Sequence, residues 1–262
     1  LEIFADYHTH TRHSHGRGTV EDNIRAAAGK GLDAVAISDH GPAGIGIGIK
    51  RADTLLQIKK EVALGQAKYP AVKALTGVEA NVVSLDGRLD VPEAILRQLD
   101  VVMAGLHLQI VAASLADEAG LVLNNLLARL SRRTAEKVRV ANTKAIVEAV
   151  SRNRVDIVTH PGLQLSIDTK ELAVACAKNG TALEINSAHG NMTKEFIQIG
   201  LRAGAKFAVG SDAHQPHRVG DFARALALIE AAGLPAVRII NARESDGTTN
   251  SNTYGGEAGG KD

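Results

Sequence analysis

Cysteine is nearly absent from this chain, with Cys176 the only one in 262 residues. No disulfide can form within it, and a metal site built from several thiolates is excluded. Cys176 stands in the helix-like run from Glu171 to Lys178, which predicts a buried structural thiol. Aromatic residues are scarce as well, at 3%, and neither sign of charge dominates, since 30 Lys and Arg face 29 Asp and Glu for a net +1. A chain so balanced has no global field to draw in nucleic acid and few rings on which to stack bases, so long nucleic acid is not the expected partner. Also missing is any apolar run near the roughly eighteen residues that a bilayer span needs. The first residues carry no basic segment followed by an apolar stretch. The sequence therefore predicts a cytoplasmic protein with no membrane partner, acting on something small.

What is plentiful is apolar residue, 45% of the chain, enough for one substantial core and a single domain over residues 1–244. Short aliphatic runs alternate with longer segments of helical period, the pattern of repeated βα units feeding a parallel sheet or barrel. The runs read as strands are Ile3–His8, Ala34–Asp39, Val72–Glu79, Val101–Leu106, Asp156–His160, Ala182–Asn186 and Lys206–Gly210, with a shorter eighth at Val237–Ile240. Helices are predicted over Val20–Lys30, Ala52–Gln66, Glu136–Arg152, Thr169–Lys178, Thr193–Ala203 and Asp221–Ala231. Thr169 is read as a helix cap, and Gly31, Gly180, Gly204 and Gly233 fall just past helix ends, where a left-handed residue is favoured. Two stretches break the rhythm. Gly41–Lys50, rich in glycine, predicts a mobile loop able to close over a ligand. Residues 109–134 form an insertion whose apolar run Leu121–Ala128 predicts an extra helix, packed on its own barrel or at a subunit contact. Beyond Glu244 apolar residues almost vanish, so 245–262 reads as a disordered tail.

Nine side chains that can ligate metal fall at the ends of these strands. His8 and His10 close the first, with His15 in the loop beyond; His40 follows the second, Glu79 ends the third, His107 the fourth and His160 the fifth. Asp212 and His214 follow the seventh. In a parallel barrel the carboxyl ends of all strands meet on one face, so ligands far apart in sequence converge. Alternate residues of an extended segment point the same way, which lets His8 and His10 grip one cation. One such pair is weak evidence, but recurrence at strand after strand is not, because that many buried imidazoles without metal would leave many ring nitrogens unsatisfied. Imidazole with carboxylate suits zinc, iron or manganese and argues against an all-oxygen calcium site. Nine ligands exceed one tetrahedral ion and predict two or three divalent transition metal ions.

The motifs Asp6-Tyr7-His8-Thr9-His10, Ser38-Asp39-His40, Gly77-Val78-Glu79, Gly105-Leu106-His107, Thr159-His160-Pro161 and Gly210-Ser211-Asp212-Ala213-His214 resemble those of the PHP family, named for polymerases and histidinol phosphatases. The resemblance runs from Ile3 to Asn241. It implies a distorted (βα)7 TIM-like barrel with a trinuclear metal centre at the C-terminal face of the strands. One metal would be held by His8, His10, Glu79 and Asp212, a second by Glu79, His107 and His160, and a third by His15, His40 and His214. The activity implied is that of a metal-dependent phosphoesterase hydrolysing a small phosphomonoester, with a hydroxide bridging two metals attacking phosphorus in line. Glu79, Asp212 and His214 would carry catalysis as well as ligation.

Clustered cations offset the negative oxygens that shield a phosphate ester from attack. Arg17 and Arg218 stand in the first and seventh loops, where guanidinium groups can pair with phosphate oxygens, and His189 and His217 are the candidates for protonating the leaving group. Arg12, Lys50 and Arg51 are lesser candidates for phosphate, and His13 is left outside the site. Asp6 and Asp39 adjoin ligand histidines, so each is expected either to orient an imidazole or to bond at a strand end. Three other readings stand beside the first. They are a PHP-type exonuclease or phosphodiesterase on short nucleotides, an amidohydrolase-like C–N hydrolase, and a metal-binding regulatory module. His15, His40 and a bridging Glu79 favour the PHP pattern over the amidohydrolase one.

Overall fold

A computed structural model describes residues 1–128 and 131–245, so all of the expected tail after Ser245 lies outside the described residues. The chain opens with β1 (Glu2–Ile3), which pairs antiparallel with β9 (Ala242–Arg243). Between them run β2 (Ala5–Asp6), β3 (Ala34–Ile37), β4 (Lys73–Asn81), β5 (Val101–Gly105), β6 (Ile157–Val158), β7 (Ala182–Asn186) and β8 (Lys206–Gly210), all parallel and in sequential order in one sheet. Helices α1 (Val20–Gly29), α2 (Thr54–Lys68), α3 (Glu93–Leu96), α4 (Leu115–Asp117), α5 (Asn124–Leu127), α6 (Arg132–Arg152), α7 (Thr169–Asn179), α8 (Lys194–Arg202) and α9 (Ala223–Ala232) complete the βα alternation.

The sheet curls until its first and last strands meet, and the seam is unusual. Backbone pairing between β2 and β8 is limited to a bridge beyond their ends, Thr9 with Ala213. Lower down, the buried amide of Asn241 takes the place of the missing ladder. Its Nδ2 donates to the carbonyls of Ala5 (2.7 Å) and Val209 (2.8 Å), and its Oδ1 accepts the Val209 N–H at 2.9 Å. Asp6 fills the next gap, accepting from Ser211 Oγ (2.5 Å) and from the Gly220 N–H (2.8 Å). The barrel is thus closed but distorted, as expected.

Strand alternation sorts the interior. Val35, Ile37, Val78, Val102, Leu183 and Val209 face outward into the main apolar layer under the helices. The opposite phase supplies a small inner floor of Ala36, Val101, Met103, Ile157, Ala182 and Ala208. Continuing that inner phase by twos toward the carboxyl ends brings Glu184 and Asn186 from β7, and His107 just beyond β5, to the top of the barrel.

Several elements differ from the sequence reading. The expected strand Ile3–His8 is two, because the chain changes partner from β9 to β3 around Phe4. Val237–Ile240 is not a strand; Ala236–Arg238 form a 3-10 turn after Pro235, and Ile239 makes a single bridge to Phe207. The cap of α7 is Asp168, whose carboxylate accepts the Glu171 N–H at 3.0 Å, and Thr169 is the first helical residue. Gly180 and Gly233 do cap α7 and α9 in the left-handed conformation. Gly41–Lys50 is irregular but tied down. Ile45 N–H donates to the Gln109 carbonyl (2.8 Å), Val111 N–H to the Ala43 carbonyl (2.9 Å), and half-buried Asp90 accepts the Ala43 N–H at 2.9 Å. The insertion continues as α4, a π-helical stretch over Glu118–Leu123, and α5. It rests on its own chain through buried Leu121, the paired amides of Asn125 and Asn142 (2.9 Å), and Asp117 accepting the Leu85 N–H at 2.8 Å.

Candidate metal centre

All nine residues expected to bind metal come together above the inner floor. At their centre is Glu79, fully buried near the end of β4, and its two oxygens look different ways. Oε2 lies 2.9 Å from His40 Nδ1, 3.2 Å from His8 Nε2 and 3.5 Å from His10 Nε2. Oε1 lies 2.8 Å from His160 Nε2 and 3.3 Å from His107 Nε2. Asp212 closes the first set, with Oδ1 3.2 Å from His10 Nε2 and 3.6 Å from His8 Nε2. The third set is outermost. The His15 ring centroid stands 4.2 Å from that of His214 and 5.0 Å from that of His40, and His10 stacks on His214 at 4.3 Å. Within the centre, His8, His10 and Glu79 offer ligand atoms within 4.8 Å of one another, as do His10, His40 and His214, and His40, Glu79 and His107.

The donor set fits metal on an observation independent of its composition. His8 Nε2, both ring nitrogens of His10, His40 Nδ1, His214 Nε2 and both oxygens of Glu79 are buried without a hydrogen-bond partner among the described residues. Each such atom left bare costs about 1–3 kcal/mol, so seven in one cluster call for a cation. Protonation states agree in part. Burial lowers the pKa of His10 well below its usual value and that of His107 below it, and desolvation with the neighbouring His214 and His40 carries His15 down to about 4. These are neutral imidazoles ready to ligate. Burial pushes His8 down too, but the charges of Glu184, Asp212 and Glu79 outweigh it and hold its pKa well above the usual value. Burial works against the ionised forms of Glu79 and Asp212, yet the imidazoles around them hold both carboxyls well below the ordinary range. Two carboxylates that stay ionised in a buried cluster of imidazoles attract cations.

Local backbone conformation aims these groups. His160 and Asp212 have positive φ, 25° and 52°, which is uncommon for residues other than glycine and is tolerated where the surroundings impose it. At both positions the chain leaves the strand sharply and turns a candidate ligand inward. Asp39 accepts from the Thr11 N–H, Thr11 Oγ1 (both 2.7 Å) and Ser14 Oγ (2.5 Å), so it shapes the loop that carries His15. Asp6 accepts the His8 N–H at 3.3 Å besides its bonds at the seam. Neither aspartate touches an imidazole, so of the two roles expected for them the strand-end one holds.

Of the four residues expected at the phosphate, His189 alone lines the cleft above the centre, with Nε2 3.2 Å from Asp212 Oδ2. Arg17 is exposed, and its N–H donates to the His214 carbonyl at 2.9 Å. Arg218 pairs with Asp221 at 2.7 Å, and His217 sits on the exposed Pro216–Arg218 turn. Arg12, Lys50 and Arg51 are exposed and outside the cleft lining, and His13 bonds Glu61 at 2.9 Å. The cleft holds about 230 Å³, and its walls carry Ile47, Leu106, Leu108 and Leu163 with the amides Gln109 and Gln164.

Sequence reasoning passed over the residues behind the ligands. Asn81 Oδ1 lies 2.8 Å from His107 Nδ1, Glu184 Oε1 lies 2.6 Å from His8 Nδ1, and Asn186 Nδ2 donates to Asp212 Oδ2 at 3.1 Å. The signal was present in β7, where polar Glu184 and Asn186 share the inward phase of Ala182 between outward Leu183 and Ile185.

A parallel barrel that gathers imidazoles and carboxylates from its strand ends around one shared glutamate defines a metal-dependent barrel enzyme. Within that class the chain belongs to the PHP domain family, which it matches over residues 6–188. It is 34% identical over 251 residues to a protein named "Probable phosphatase" from a Thermoanaerobacter species, covering 92% of this chain and 91% of that one. A protein of the same name from Acetivibrio thermocellus is 30% identical over 251 residues, with 92% of both chains covered. Among solved structures, the histidinol phosphate phosphatase of Lactococcus lactis, complexed with zinc, L-histidinol and phosphate, superposes with a TM-score of 0.62 at 17% identity, over 88% of this chain and 94% of that one. That likeness is one of fold.

Proposed function

We propose that the chain is a metal-dependent phosphoesterase that hydrolyses a small phosphomonoester, and that its barrel, residues 1–244, acts as one domain. The reading rests above all on Glu79, whose two oxygens face two separate sets of imidazoles. His8, His10, Glu79 and Asp212 would hold one divalent cation, Glu79, His107 and His160 a second, and His15, His40 and His214 a third, with zinc, iron or manganese suited to such donors. Bound there, the ions would offset phosphate charge and lower the pKa of water enough to make it a nucleophile at neutral pH.

The chain's own residues supply the rest. Glu79 and Asp212 keep their negative charge despite burial and so would hold cations. His189 sits on the cleft wall beside Asp212, where its ring can donate a hydrogen bond to a phosphoryl or leaving-group oxygen. Ile47, Leu106, Leu108 and Leu163 cover the carbon skeleton of the alcohol and exclude water, while Gln109 and Gln164 offer it neutral hydrogen bonds. A cleft of about 230 Å³ with such walls suits a small ester better than a polyanionic strand.

The test is turnover by protein reconstituted separately with zinc, manganese and ferrous iron, on a panel of phosphomonoesters, dinucleotides and amides. Phosphate release from monoesters, abolished by chelation, is expected. Cleavage of dinucleotides alone would transfer the assignment to phosphodiesters, and amide turnover without phosphate release would overturn it.

A further inference from the structure

Glu184 is a buried carboxylate to which neither the ligand set nor the proposed reaction gives any task. It lies on the inward face of β7, 1% exposed, directly behind the metal centre. Each of its oxygens is committed. Oε1 is 2.6 Å from His8 Nδ1; Oε2 accepts the His160 N–H at 2.7 Å and Asn186 Nδ2 at 3.1 Å. The same Asn186 amide reaches Asp212 Oδ2. His8, His160 and Asp212, proposed ligands just beyond the ends of β2, β6 and β8, are therefore braced from one point. The site has been shaped to admit this carboxylate, because a Cβ at Gly210 on neighbouring β8 would fall on Glu184 Oε1 and stand 3.0 Å from the His8 Cβ.

We propose that Glu184 is the positioning residue of the metal centre, accepting the Nδ1 proton of His8 so that Nε2 is presented bare to the metal, and clamping the strained peptide at His160. The inference rests on the metal-dependent reading of the site. An imidazole whose Nδ1–H is held by a carboxylate has its tautomer and ring plane fixed and its other nitrogen made more basic. His160 needs the second bond because its φ of 25° is held by its surroundings. A neutral amide cannot do both jobs. In Glu184→Gln the NH2 must face either His8 or the His160 peptide. Toward His8 it forces the proton onto Nε2 and removes a ligand; toward His160 it sets donor against donor and releases the peptide.

The experiment is zinc titration of the full chain against a competing chelator, for wild type and Glu184→Gln, with thermal melting of both metal-free proteins. The variant is expected to stay folded, melting below wild type when metal-free, and to bind zinc about 10–100-fold more weakly, the usual effect of losing an outer partner of a ligand histidine. Gly210→Ala, which displaces the carboxylate without removing it, should weaken zinc in the same direction. Equal zinc affinity in Glu184→Gln and wild type overturns the proposal, whether or not the melting point falls. If the variants do not fold, long-range proton–nitrogen NMR on zinc-loaded wild type decides. Expected is a hydrogen on His8 Nδ1 and metal at Nε2, and the reverse arrangement overturns the proposal. Zinc binding is read without substrate, so a wild type that binds zinc and hydrolyses no phosphoester defeats the phosphoesterase reading alone.

Discussion

Glu79 faces five imidazoles with one carboxylate. Glu79→Gln keeps its volume while removing its charge and setting an NH2 against one of the two imidazole sets. Metal content should fall, with affinity down by more than about 100-fold, beyond the range for an outer partner, and turnover should fall with it; full metal content and activity in that variant would defeat the shared-ligand arrangement. Cys176 shows the opposite kind of residue. Burial in α7 pushes its thiol up to about 12, from an ordinary 9.0. A folded pKa raised above the unfolded one gives a stabilising contribution that is complete below about pH 9 and is lost as pH rises toward 12. Alkylation by iodoacetamide at neutral pH should therefore track unfolding, and rapid labelling of native protein would show the thiol is not enclosed. Proposed ligands such as Glu79 were legible in the sequence because their chemistry is written in residue type and in position at a strand end. For Glu184 only the inward phase of β7 was legible, because what the carboxylate does there depends on what the neighbouring strands place beside it, here His8, the His160 peptide and Gly210.

The strands show the same division at the scale of elements. β3, β5, β7 and β8 match their aliphatic runs because burial on both faces makes such runs continuous. β6 is only Ile157–Val158, since the chain after Thr159 turns into the positive-φ conformation of His160, which no periodicity announces. The seam between β2 and β8 is the least legible feature, because a side chain from outside both strands, Asn241, does the work of backbone. Removing that amide leaves the Ala5 carbonyl and both polar groups of Val209 short of a buried partner. Asn241→Ala should cost about 3 kcal/mol in urea unfolding, at about 1–3 kcal/mol per orphaned group after relaxation; a loss below about 1 kcal/mol would mean that the strands close on each other unaided. Asp90 plays the corresponding part for the glycine-rich wall, where it holds the Ala43 N–H and the side-chain amide of Asn81. Asp90→Ala should speed hydrogen exchange across residues 41–48, and unchanged exchange would show that the pairing with Gln109 and Val111 suffices to hold them.

For the molecule as a whole, fold stability and metal occupancy are one equilibrium read two ways. No helix among the described residues is long and apolar enough to cross a membrane. Metal that binds only the folded chain stabilises it by about 2.7 kcal/mol when its free concentration is a hundred times Kd. Chelation should therefore lower the melting point at pH 7 by several degrees. Acid acts on the same balance, and the sign differs between ligands. The pKa of His15 falls from 6.5 to about 4 on folding, and those of His10 and His107 are also lowered. Their contribution is present above about pH 6.5 and is lost as pH falls through the folded values, because the unfolded chain takes up protons first. His8 and His160, raised by the carboxylates around them, stabilise the metal-free fold below about pH 6.5 and lose that contribution as pH rises through their folded values. In the metal-free protein these opposed terms partly cancel. In the loaded protein they do not, because every ligand nitrogen must be free of its proton, so metal binding releases protons and weakens as pH falls. The difference in melting point between loaded and metal-free protein should thus shrink between about pH 7 and about pH 5 while the metal-free melting point changes less. A difference constant across that range would mean that the bound ions are not held by imidazole.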